Sequence, residues 1–295
     1  MERRTRVAVM VLLATTLVVA GLALALWPRS SSTGRQDRVL VGEARTGGLA
    51  IDVEAPVANV RIREAKMPGR PIVVIDAGHG GKDPGAAGQS GSVVEKQLTL
   101  AMAREVADLL EQRGRLRVAM TREDDRYLTL EQRAEIARRL QAGLFVSIHM
   151  DSAPNPAAKG VTVYSLSDIA SSTEAARFAK SENGVDGALT SEGNDVVRSL
   201  LSDLALREQM EASAGLAERV VRQAKGPVDL RPRPHQFAGF WVLRRSEVPG
   251  VLVEAGYISN AADEARLRTA EGRKPLVLAL AQAIEADLAA RANRR

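Results

Sequence analysis

No cysteine occurs in the 295 residues. Disulfide cross-links and thiolate catalysis are therefore excluded, and any metal held by this chain must be bound through nitrogen and oxygen. Aromatic residues make up only 3%, so Ala, Val and Leu must fill the interior, which suits helices packed closely on a sheet. Histidine is as scarce: His79, His149 and His235 are the whole supply. No basic stripe with interleaved aromatics is present, and nucleic acid is a poor partner for that reason. The net charge of +5 fits either a solvated, Arg-rich surface or contact with a polyanionic envelope polymer. There is no Gly-x-Ser-x-Gly elbow, and Ser147 lies inside an apolar run, so serine-based hydrolysis finds little support. No internal repeat is visible.

What is present begins with Arg3, Arg4 and Arg6 ahead of residues 7–27, which carry no charge. That run exceeds the 7–15 residues of a signal-peptide core and is close to the ~20 needed to span a bilayer. It reads as an uncleaved signal anchor, with a cleaved signal peptide as the alternative, for which Ala23-Leu24-Ala25 offers a site. The Arg3-Arg4 pair is only a weak twin-arginine hint. Both readings export the remainder to the periplasm or cell envelope, with N-terminal membrane contact if the segment is retained. Residues 28–70 read as a polar linker, with short strands possible by alternation between Leu49 and Ile62.

From residue 71 to 295 the pattern is strand, helix, strand, helix. It predicts an α/β fold, a twisted, mostly parallel or mixed sheet with helices on both faces in three layers, forming a single catalytic domain. Ile72-Val73-Val74-Ile75 is a short apolar run that fits a strand buried on both faces. It closes on Asp76-Ala77-Gly78-His79, followed by Gly80, Gly81 and Gly85, where backbone can turn sharply beside a ligand. Ser92 with Glu95 has capping-box spacing, and Leu98, Met102, Val106 and Leu109 continue at helical spacing. Leu116 to Met120 is a strand, Thr129 with Gln132 opens a second capped helix, and Leu144 to Ile148 is a strand closing on His149. Val161 to Tyr164 alternates as a strand. Residues 167–195 form a polar excursion with a helical island at Thr173 to Ser181, and a long helix runs from about Asp195 to Lys225. The Pro-rich stretch from Gly226 to Pro234 ends it. Phe240 to Leu243 and Val251 to Glu254 read as two further strands, and Lys274 to Arg291 as a terminal helix.

His79, His149 and Glu254 thus sit at segment ends, and Glu95 starts a helix. If those ends lie on one side of the sheet, two imidazoles and a carboxylate compose a catalytic zinc centre, with a second carboxylate free for proton transfer. Oxygen-seeking Ca²⁺ or Mg²⁺ would not favour two histidines. Each residue also has a plainer reading: a structural histidine, a helix-capping Glu95, an exposed Glu254. His235, between proline and Gln236, reads as a surface or substrate-side residue.

The segments IVVIDAGHGGKDPGA, VVEKQLTL, LFVSIHMDSAPNPAAKGVTVYSLS and VPGVLVEAGYISNAADEARL, taken in that order, resemble the zinc-dependent N-acetylmuramoyl-L-alanine amidases, especially the periplasmic cell-division type. The resemblance covers about residues 71–292. It implies zinc held by His79, Glu95 and His149, with Glu254 as the catalytic carboxylate. It implies as substrate the peptidoglycan amide between N-acetylmuramic acid and the L-alanine of the stem. Asp76, Arg133 and Asn260 fall in family-like segments and are assigned support. Met150 and Ser152 depart from the pattern after the second histidine and alter the cleft wall, and 28–70 is too short for a wall-targeting β domain. The insertion at 167–195 resembles a segment that covers the zinc until an activator protein displaces it, and Glu182 is the candidate plug. The competing functions are a catalytically inactive wall-binding regulator and another zinc amidohydrolase or peptidase acting on the cell wall.

Overall fold

The computed structural model describes residue 57, residues 59–184 and residues 196–292. The expected export segment at 1–27, most of the 28–70 linker and residues 185–195 of the insertion lie outside the described residues. In chain order the elements are β1 (Ile62–Arg63), β2 (Ile72–Ala77), α1 (Glu95–Arg113), β3 (Arg117–Met120), α2 (Leu130–Arg139), β4 (Leu144–Asp151) and β5 (Val161–Leu166). There follow α3 (Thr173–Asn183), α4 (Val196–Ala224), β6 (Leu230–Ala238), α5 (Trp241–Ser246), β7 (Gly250–Tyr257), α6 (Ala261–Leu267) and α7 (Ala270–Ala292). The strands form one seven-stranded sheet in the order β1-β3-β2-β4-β7-β5-β6. It is mixed: β3, β2, β4 and β7 run parallel, β1 is antiparallel to β3, and β5 is antiparallel to β7 but parallel to β6.

Alternation along the strands divides the interior into two layers. Val73, Ile75 and Ala77 of β2 pack with Leu98, Met102 and Val106 of α1 and with Leu280 and Ile284 of α7. Ile72 and Val74 point the other way, into a cluster with Ile136 and Ala137 of α2, Ala175 and Ala179 of α3, and Phe240. Burial on both faces is why β2, β4 and β7 read as continuous apolar runs. Among the described residues no helix is long and apolar enough to cross a membrane.

Three local expectations are corrected. The helix expected to be capped by Ser92 begins at Glu95 after Val94, which is extended and offers no side-chain cap. An Ala87–Val94 bridge holds that segment in paired, extended backbone, so the helix starts late. The strand expected at Phe240 to Leu243 is the helix α5, whose first amide, Trp241 N–H, donates to Asn183 Oδ1 at 2.8 Å. That capping acceptor comes from a distant part of the chain. The Pro-rich stretch after α4 enters β6, which contains Pro232 and Pro234. An edge strand tolerates proline because a residue that has lost its N–H there leaves no central ladder broken.

Candidate active site

The loop after β2, the first residue of α1 and two central strands deliver the expected residues to one place. His149 lies within β4 and Glu254 within β7, not at the ends expected for them, because sheet pairing carries both strands further, to Asp151 and Tyr257. After β2 the chain turns at Gly78 and His79, and His79 adopts a left-handed φ of 58°, a strained conformation that surrounding bonds must hold. Arg133 donates to Ala77 O at 2.6 Å and His79 O at 2.7 Å, while Arg122 donates to Ala77 O at 2.9 Å and Gly78 O at 2.8 Å. Arg133 also pairs with Asp76 at 2.7 Å, and both are buried. Burial disfavours the Asp76 carboxylate, but Arg133 and the hydroxyls of Ser147 and Thr121 outweigh it and hold its pKa below the ordinary range. The support assigned to Asp76 and Arg133 thus has a physical form: they clamp the loop that carries His79. Arg122 was not singled out from the sequence. Its only signal is its place two residues past the β3 run, and its carbonyl partners become visible only in the fold.

Removing the guanidinium would leave Asp76 charged and unpaired in the interior. Arg133→Met is expected to destabilise the protein by about 3–5 kcal/mol, measured by urea unfolding at pH 7. An ionised Asp76 stabilises the native state above its unfolded pKa, and that contribution fades as pH falls through the lower native value. The deficit of Arg133→Met should therefore shrink below about pH 4, where unpaired Asp76 is protonated in both states.

His79 Nδ1 lies 2.8 Å from Asp83 Oδ2, which fixes the ring with Nε2 toward the site, an arrangement common for metal-binding imidazoles. Asp83, four residues after His79 in the glycine loop, was also missed in the sequence. His149 emerges from β4 with Nδ1 on the same side. The first residue of α1, Glu95, does not cap its own helix: Oε1 accepts from Met150 N–H and Oε2 from Ala86 N–H, both at 2.9 Å. Glycine is required twice here. A Cβ on Gly78 would lie 2.5 Å from the His149 ring, and one on Gly85, at φ +66°, would lie 2.6 Å from Glu95 Oε2.

Glu95 Oε1 is 3.1 Å from His79 Nε2 and 3.2 Å from His149 Nδ1. From α3, Glu182 Oε2 reaches to 3.3 Å from His149 Nδ1 and 4.0 Å from His79 Nε2. Yet His79 Nε2 and His149 Nδ1 are buried without a hydrogen-bond partner: the atoms are near one another but not aligned for donation. They point instead at a shared space. Bonds of 2.0–2.2 Å at tetrahedral angles separate neighbouring ligand atoms by about 3.3–3.6 Å, and these spacings bracket that value. His79, His149 and Glu182 form a potential metal-holding group with ligand atoms within 4.8 Å of one another, and Glu95 adjoins it. The residues fit a divalent metal that prefers nitrogen and carboxylate oxygen.

Electrostatics agrees with the geometry. Burial alone would lower the His79 pKa, but Asp83, Glu95 and Glu182 attract positive charge and raise it to about 10. Burial opposes the Glu95 carboxylate, yet His149 and His79 hold its pKa well down. Burial raises Glu182, partly countered by His149. Glu254 is fully buried, neither oxygen has a hydrogen-bond partner, and desolvation together with the charges of Asp151, Glu95 and Glu182 pushes its pKa well above the ordinary value. It stands beside His149 in the β4–β7 register.

The cavity here has a volume of about 650 Å³, and its lining includes His79, Glu95, His149, Tyr127, Phe240 and Glu182. Glu254 is outside its lining. Across it lies α3, capped by Ser172, with Phe178 packed on Tyr164 and Phe240 at ring distances of 5.1 and 5.6 Å. Asn183 secures its end, donating to Gly239 O at 2.8 Å in addition to accepting from Trp241. His235 is elsewhere, its Nε2 2.9 Å from Ser165 Oγ. Asn260 caps α6 and donates to Pro156 O at 2.7 Å, tying down the loop after β4.

The family model for N-acetylmuramoyl-L-alanine amidases matches residues 73–286, spanning all of these residues. The chain belongs to that family. The amidase is 35% identical over 223 residues to AmiA of Escherichia coli, covering 74% of this chain and 76% of the relative. It is 33% identical over 224 residues to AmiC of Escherichia coli, covering 75% of this chain but 54% of that longer relative. Among solved structures, it resembles the catalytic domain of CwlV from Paenibacillus polymyxa with 29% identity and a TM-score of 0.53, covering 72% of this chain and 96% of that one. AmiC2 of Nostoc punctiforme matches with 30% identity and a TM-score of 0.52, covering 73% and 96%. The mixed sheet with helices is thus that of an amidase catalytic domain, and peptidoglycan is the substrate class of the family.

Proposed function

We propose that this amidase is a zinc hydrolase cleaving the amide between N-acetylmuramic acid and the L-alanine of the stem peptide. His79, Glu95 and His149 would be the metal ligands and Glu254 the general base and acid. The observation that carries the reading is the convergence of two buried, unpartnered imidazole nitrogens on a carboxylate oxygen 3.1 and 3.2 Å away. Zinc bound there would polarise the scissile carbonyl and acidify a water. The chain's own residues do the rest. Asp83 keeps the His79 ring turned inward, and the Met150 and Ala86 amides fix both oxygens of Glu95. Glu254, basic because it is desolvated among negative charges, takes the proton of the attacking water and returns it to the departing L-alanine nitrogen.

Glu182 is read as a plug. Its carboxylate points at both imidazoles from a helix held by Phe178 and Asn183, so it would fill the coordination position that water needs. With α3 seated, Glu182 occupies that position, and an activator protein would have to lift the helix. Residues 1–27 would export the chain to the periplasm or envelope, 28–70 would tether it, and 71–295, with the insertion at 167–195, would form the catalytic unit serving wall remodelling and daughter-cell separation.

The decisive experiment digests purified sacculi and identifies the products by mass, with and without a chelator. Free stem peptides beginning with L-alanine, lost on chelation, are expected; products cut elsewhere in the stem, or none, would overturn the assignment. Glu182→Ala is expected to raise basal release roughly 10- to 100-fold, the range of one charge-assisted contact. Unchanged release would remove the plug from the scheme.

A further inference from the structure

We infer that Thr162 is a positioning residue for Glu254, its hydroxyl donating to the carboxylate directly on a side-chain rotation or through one buried water. The inference rests on Glu254 being the proton shuttle. Thr162 lies opposite Glu254 in the antiparallel β5–β7 ladder, as His149 lies opposite it in the parallel β4–β7 ladder. Residues directly opposite in a ladder project to the same face with Cβ atoms about 4.5–5.5 Å apart. Glu254 is therefore flanked by an imidazole on one side and a hydroxyl on the other.

Both Thr162 and Glu254 are fully buried, and Thr162 Oγ1, Glu254 Oε1 and Glu254 Oε2 have no hydrogen-bond partner. Buried orphans of this kind are rare, because each has lost its water without gaining a partner. Three on adjacent residues form one unsatisfied polar patch, and the same groups satisfy it: a hydroxyl proton for a carboxylate oxygen. Packing does not account for the threonine. Its neighbours Val161 and Val163 are also fully buried, and valine at 162 would have the same branched shape without an idle hydroxyl. The other ionisable groups whose charge bears on Glu254 are Asp151, Glu95 and Glu182, all acceptors when ionised. Thr162 is the neutral donor beside them. Held from that side, the carboxylate keeps one oxygen for Thr162 and presents the other for proton transfer.

The test compares Thr162→Val with Thr162→Ser in the full chain. Valine is expected to lower kcat roughly 10- to 100-fold, the range of one hydrogen bond to a charged group, with KM, zinc content and thermal midpoint little changed. Serine should restore most of kcat. Carbon-13 NMR of labelled glutamate gives a readout independent of turnover. The Glu254 carboxyl resonance, identified by its loss in Glu254→Gln, should move in Thr162→Val and return in Thr162→Ser. A parental kcat in Thr162→Val with an unmoved resonance, or a serine variant as slow as valine, would overturn the inference. A parent that releases no stem peptide would overturn the amidase assignment instead, and the resonance alone would then decide for or against Thr162.

Discussion

Glu254→Gln is expected to bind zinc as the parent does and to cleave sacculi roughly 100 to 10,000 times more slowly, the range lost with a positioned general base. The substitution keeps the size of the side chain and removes only its capacity to carry a proton. A neutral amide of the same size strands no charge at this buried position and keeps a carbonyl oxygen that can accept from Thr162, so the fold should be unaffected. The loss should fall on kcat, since the residue acts on the water proton and not on ground-state binding. Zinc content by atomic emission and release rates from labelled sacculi check both halves. A variant that loses zinc would make Glu254 a ligand, and one that turns over at the parental rate would exclude it from proton transfer.

His79→Asn is expected to lose nearly all bound zinc and, with it, all but background cleavage. Asparagine is chosen over alanine because residue 79 sits at φ 58°, where asparagine is among the better tolerated non-glycine residues. A folded but metal-free protein is then the predicted result. Removing the ring leaves one imidazole, His149, with the carboxylates of Glu95 and Glu182 at 3.2 and 3.3 Å, a set with a single nitrogen donor where the proposed centre has two. Metal analysis after dialysis, alongside circular dichroism, distinguishes loss of the metal from loss of the fold. Full zinc occupancy in the variant would dissolve the proposed centre.

Taken together the two variants separate holding the metal from moving the proton. Glu254→Gln should be inert with zinc, and His79→Asn inert without it. Glu182→Ala should move the opposite way, because its side chain competes for the place that water occupies in catalysis. No common loss of stability produces that three-way pattern.

Much of the site was legible in the chain because the relevant signals are local. An apolar run too short for a helix, closed by histidine and glycine, marks a strand end where open α/β sheets place ligands. That describes His79; His149 and Glu254 follow the same kind of apolar run but lie inside β4 and β7. Thr129 with Gln132 formed the reciprocal cap its spacing implies, at 3.1 and 3.3 Å. Where a distant partner intervened, local reading failed. Ser92 was displaced as a cap by the Ala87–Val94 bridge, and Phe240 to Leu243 became helical with its first amide satisfied by Asn183. The prolines of β6 were accommodated by a sheet edge that no window of sequence reveals.

Residue identity and spacing by themselves determined the α/β alternation, the exclusion of sulfur ligands and the short list of histidines and carboxylates from which a site could be drawn. Only the tertiary structure decided that His79 Nε2, His149 Nδ1, Glu95 and Glu182 face one another, that Asp83 turns a ring, and that Thr162 stands beside Glu254. The reason is physical. Secondary structure follows from preferences repeated over a few residues, whereas a coordination site is a meeting of side chains set by strand order and register, which the chain fixes only once the sheet has closed.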